Sequence, residues 1–113
     1  ARLDAGDSRG LIDAALPVPF LGSAATYYDK YGPEEHVNIL THLPNVKLPL
    51  LAMHGTLEPA AELPMRGVLE ELTGLDGELP NFTYVIMPEG DHFYTGLRPQ
   101  AWKVMRDWLT KQA

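Results

Sequence analysis

Apolar and polar positions change period along this chain, and the changes predict its elements. Lys47 to Met53 (Lys-Leu-Pro-Leu-Leu-Ala-Met) and Phe82 to Met87 (Phe-Thr-Tyr-Val-Ile-Met) are nearly continuous apolar runs. Runs of this length suit strands covered on both faces, as in a parallel sheet. The second is also rich in β-branched and aromatic residues. Leu11 to Leu16 predicts a shorter strand, ended by Pro17 and Pro19. Helical spacing takes over elsewhere. Ser23 is placed to cap a helix through Tyr27, Tyr28 and Lys30 that Gly32 ends, and Pro33 opens a second with Val37, Ile39 and Leu40 on one face. Leu63, Met65, Val68, Leu69 and Leu72 give a helix over 60–73. Ala101, Trp102, Val104, Met105, Trp108 and Leu109 give the terminal one, with both tryptophans expected in the core.

The resulting order is strand, helices, strand, helix, strand, helix. It predicts an α/β fold, a parallel sheet with flanking helices. Three strands make a narrow sheet, and two-sided burial of Leu48 to Met53 needs more neighbours than these residues supply. The sheet is therefore expected to be completed by something else.

Composition narrows the classes. A chain of 113 residues, 45% hydrophobic and 21% charged, is ordinary for one folded, soluble domain. A net charge of -6 argues against a nucleic-acid partner, since phosphate binding needs clustered Lys and Arg. With no cysteine, a disulfide framework, a thiolate nucleophile and a zinc-thiolate site are all excluded. No apolar run is long enough to span a bilayer and no signal-peptide pattern opens the chain, so a cytoplasmic location is expected. A start at Ala1 rather than Met suggests a cut or partial product. No spacing of His, Asp and Glu suggests a metal site, and no glycine-rich loop suggests a phosphate cofactor.

Two loops hold the candidate chemistry, because each follows a parallel strand at its carboxyl end, where open α/β sheets place ligands. The first presents Glu58 after His54-Gly55-Thr56-Leu57. The second presents Asp91-His92 after Glu89-Gly90. A right-handed crossover between adjacent parallel strands would set these loops side by side. A carboxylate beside an imidazole fixes its tautomer and stabilises the imidazolium, as a general base requires.

Gly55-Thr56-Leu57-Glu58 and Gly90-Asp91-His92, in that order and ahead of a Trp-containing terminal helix, resemble the carboxyl-terminal part of an α/β-hydrolase. Residues 46–111 carry the resemblance. Residues 1–19 read as loop and strand, and 20–45 as a possible lid or cap. The resemblance implies a partial α/β-hydrolase domain acting as a serine esterase on a small ester or acyl substrate. Glu58 and His92 would be the acid and base of its triad. Asp91 is the backup acid; otherwise it holds the loop by turn hydrogen bonds.

The family also uses a Gly-x-Ser-x-Gly elbow, and Gly6-Asp7-Ser8-Arg9-Gly10 fits that string. An elbow joins a buried strand to a helix. Here Arg2 and Asp4 precede it, a strand-like run follows, and only 50 residues separate Ser8 from Glu58. Gly6–Gly10 is read as a loop entering the strand at Leu11. The nucleophile and the oxyanion hole are therefore expected on missing residues or on a second chain carrying the amino-terminal half. The alternative is a non-catalytic binding or assembly subunit with a hydrolase-derived fold. His54 is expected to be structural, His36 and His42 to lie at the surface, and Phe20, Tyr27 and Tyr28 to pack or to line a lid.

Overall fold

The computed structural model describes residues 5–16, 19–61 and 65–113. Arg2, Asp4, Pro17 and Leu63, used above, lie outside them. The chain divides into two compact units, Ala1–Leu43 and Pro44–Ala113.

In the first unit, strand β1 (Leu11–Ala14) pairs antiparallel with β2 (Phe20–Ser23), with Leu11 opposite Ser23 and Ala14 opposite Phe20. This corrects the sequence reading, which placed Leu11 to Leu16 in the parallel sheet. The alternation is that of a two-stranded ribbon with one wet face. Ile12, Ala14 and Phe20 are half-buried, while Leu11 and Leu21 are 67% and 75% exposed. Helix α1 (Ala24–Tyr31) begins and ends as expected. The Ser23 Oγ accepts the Thr26 N–H at 3.1 Å, and the Gly32 N–H closes on the Tyr28 carbonyl at 2.7 Å. Phe20, Tyr27 and Tyr31 form a ring cluster with centroids 5.2 to 6.1 Å apart, so Phe20 and Tyr27 pack. The next helix, α2 (Ile39–His42), does not start at Pro33. Asn38 caps it, its Oδ1 accepting the Leu40 N–H at 3.0 Å, because a side-chain acceptor defines a helix start better than a proline alone.

The second unit holds a two-stranded parallel sheet, β3 (Leu50–Gly55) and β4 (Phe82–Met87), in register from Leu50↔Phe82 to Gly55↔Met87. Between them lie α3 (Glu58–Ala61) and α4 (Val68–Glu78); α5 (Arg98–Gln112) follows. Helices cover both faces. Leu69 of α4 and Ile86 of β4 line one groove, while Val104 and Trp108 of α5 meet Leu51, Thr83 and Val85 on the opposite face. Leu69, Leu72, Phe82, Met87 and Ala101 are buried. The molecule is thus mixed α/β with a small parallel sheet flanked by helices.

Trp108 is half-buried, and its Nε1–H donates to the Thr83 Oγ1 at 3.2 Å. Trp102 is not core: it is 59% exposed. The apolar arc of α5 is wider than two strands can cover. Ala101, Val104 and Trp108 face the sheet, and Trp102, Met105 and Leu109 form the next stripe round the helix.

The ladder also fixes what the outer edges do. The Leu50 N–H donates to Asn81 at 2.8 Å and the Thr56 N–H to Met87 at 3.1 Å, so residues 51, 53 and 55 of β3 face away from β4. On that far edge the Met53 carbonyl accepts the Tyr94 O–H at 2.8 Å, and the Gly55 N–H donates to Glu58 at 2.8 Å. On the far edge of β4 the Phe82 N–H donates to Leu79 and the Tyr84 N–H to the Asp76 carboxylate. Side chains and turns answer these groups where another strand would.

Candidate active site

Parallel register delivers the site. With Gly55 opposite Met87, the chain leaves both strands at the same level, and the loops that follow run together. Three bonds stitch them. The Thr56 N–H donates to Met87 (3.1 Å), the Leu57 N–H to Gly90 (3.0 Å), and the Glu89 N–H to the Thr56 Oγ1 (2.8 Å). Gly55 and Gly90 make this possible. Any β-carbon on Gly55 would overlap the Gly90 carbonyl, and one on Gly90 would lie 3.1 Å from the Gly55 Cα.

Glu58, the first residue of α3, is 2% exposed and the only buried charged residue among those described. Both carboxylate oxygens have donors. Oε1 accepts the Gly55 N–H at 2.8 Å, and Oε2 lies 3.1 Å from the His92 Nδ1. A carboxylate buried without partners costs several kcal/mol, so these two donors are what hold it there. The imidazole is different, with a side chain 62% exposed. The acceptor at Nδ1 selects the tautomer with its proton on Nδ1, which leaves Nε2 as the basic nitrogen. The sequence-expected pair, 34 residues apart, is therefore brought into hydrogen-bond contact.

Asp91 bonds within its own loop. Its Oδ1 accepts the N–H groups of Phe93 (3.0 Å) and Thr95 (2.8 Å), and these bonds, that from Thr95 first, hold its carboxyl below the usual range. It is the loop-holding residue of the two readings. Glu89 and Tyr94 take up left-handed backbone angles, φ 58° and 51°, which bend the chain sharply around it.

Sequence reasoning did not single out Tyr84 or Tyr94. Tyr94 anchors the histidine loop to β3 through Met53. Tyr84 stands 3.2 Å from the His54 Nδ1. Burial, then the charge of Glu58, pushes the Tyr84 phenol up to about 12, and burial pushes His54 down, against the opposing pull of Glu58. Both shifts favour the uncharged forms of this phenol–imidazole pair. His54, expected in the loop after the strand, lies in β3 itself. The signal for Tyr84 was available in principle: it lies two residues before Ile86, the register partner of His54, and so on the same sheet face.

The other expected residues fall as follows. His36 contacts Asp29 at 2.8 Å and His42 the His36 carbonyl at 2.8 Å, both at the surface. Ser8 lies in a turn whose carbonyl accepts the Ala25 N–H at 2.9 Å, and β1 follows it, not a helix. Residues 44–113 contain no serine or cysteine. Among the described residues no group of three or more His, Cys, Asp or Glu could hold a metal ion, and no helix is long and apolar enough to cross a membrane. An open groove of about 600 Å³ runs along Thr56, Pro59, Leu69, Glu70, Thr73 and Ile86, and neither His92 nor Glu58 lines it. Comparison with family models, curated proteins and solved structures found no match to any of them.

Proposed function

We propose that this chain supplies the acid and base of a serine-hydrolase active site of α/β-hydrolase type, acting on a small ester or acyl substrate. The observation that carries the reading is the contact of an almost fully buried Glu58 with the Nδ1 of a largely exposed His92. Burying a carboxylate only to orient an accessible imidazole is costly for structure alone, and it is the geometry a general base uses. The imidazole would take the proton of a serine as it attacks the acyl carbon, then return it to the leaving alkoxide.

The serine is proposed to come from outside residues 44–113, on further residues or a second chain that also extends the sheet. The absence of Ser and Cys from that stretch, the turn conformation around Ser8, and the exposed Leu48 (76%), Trp102 and Leu109 support this. The test is labelling of the native assembly with a fluorophosphonate probe. A labelled serine on a polypeptide bound to this chain, lost when His92→Ala is introduced, is expected. No labelled chain would leave the pair without a nucleophile and favour a non-catalytic assembly subunit.

A further inference from the structure

We propose that Phe93 is a specificity-determining residue of this site, an apolar seat beside His92 that selects substrates carrying an aryl or branched-alkyl group next to the reacting acyl bond. The inference rests on the hydrolase reading and extends it to substrate class.

The Phe93 ring stands edge-on to the His92 imidazole, with centroids 5.2 Å apart and planes at 78°. The residue is 70% exposed, so it is not a core piece. Its backbone is anchored on both sides. Its N–H is held by the Asp91 Oδ1 at 3.0 Å, and its carbonyl accepts the Arg98 Nε–H at 3.4 Å. The next residue, Tyr94, is fixed by its left-handed backbone and its bond to Met53. The anchored loop therefore presents a largely exposed aromatic ring beside the imidazole. Exposed aromatic surface is unfavourable and gains by being covered. Leu57 adds a second apolar side chain, 49% exposed, on the neighbouring loop, whose backbone is tied to Gly90. A ligand reaching the His92 ring meets the Phe93 ring, and an apolar group on that ligand would dry both.

The test is an NMR titration of this chain with two unreactive probes, acetanilide and acetamide, following the His92 imidazole and Phe93 ring signals. Acetanilide is expected to shift both and to bind at least about tenfold more tightly than acetamide, the scale of one aromatic contact. Phe93→Ser should erase that difference, Phe93→Leu should keep most of it, and the hydrogen-bonded Nδ1–H signal of His92 should persist in both. Equal binding of the two amides, or a preference that survives Phe93→Ser, would overturn the seat. Failure of fluorophosphonate labelling alongside a Phe93-dependent preference would remove the hydrolase reading and leave an aryl-binding seat. Labelling that succeeds while the amides bind alike would remove only the seat.

Discussion

Single residues decide whether the loops carrying Glu58 and His92 meet. Gly55 has no side chain because the Gly90 carbonyl occupies that space, so Gly55→Ala must push the loops apart. It is expected to cost about 3 kcal/mol, as overpacking against backbone does, and to break the Glu58–His92 contact. Chemical denaturation and the His92 Nδ1–H signal check both effects. Gly90→Ala meets only contacts at 3.1 Å and should be milder. His54 makes stability depend on pH. Its folded pKa is lowered below the ordinary 6.5, chiefly by burial, so its contribution is complete above 6.5 and is lost as pH falls through the folded value. His36 works oppositely. Asp29 raises its pKa, so its contribution is complete below 6.5 and fades as pH rises through the folded value. Thermal melts should show the wild type losing stability on acidification below 6.5 more steeply than His54→Gln, and a matching slope in the two would contradict this.

Elements carry the next set of consequences. Among the described residues β4 has no second strand neighbour, and the Asp76 carboxylate takes the Tyr84 N–H at 2.6 Å. Asp76→Ala should therefore cost about 0.5–1.5 kcal/mol, the net worth of one hydrogen bond that water can replace, and raise the hydrogen-exchange rate at Tyr84 above that at its neighbours. On α5 the two tryptophans should behave differently. Trp108→Ala removes a half-buried ring and its bond to Thr83 and should cost about 2–3 kcal/mol. Trp102→Ala should change the stability of the isolated chain by less than about 0.5 kcal/mol. Periodicity made α5 legible but not this difference, since a helical pattern reports apolar positions and not how much sheet lies beneath them. The strands 50–55 and 82–87 were legible because each is apolar on both faces. The β1–β2 pairing was not. Leu11 to Leu16 reads the same in a parallel sheet and in a ribbon, and only the partner decides. The single helix expected over 60–73 is two helices among the described residues, with Gly67 (φ 81°) before the second. Apolar spacing continued across that break and hid it.

At the scale of the whole molecule, the pair Glu58 and His92 was readable because a parallel register converts a 34-residue separation into adjacency. What supports them was less readable. The role of Asp91 as loop clamp stood as one of two options, and the Tyr94 anchor to Met53 spans 41 residues that no local pattern links. The sheet of the second unit is narrow, its outer edges partly answered by Tyr94, Glu58 and Asp76, and that unit contains no serine. These features agree with an acid–base module completed by other polypeptide. The most direct test of that account is ester turnover by the native assembly with wild-type chain and with His92→Ala. A loss of about 10⁴-fold or more in kcat, with the Glu58-dependent fold intact by melting, is the predicted result. Turnover within a few-fold of wild type would contradict His92 as the base and, with it, the reading of this site.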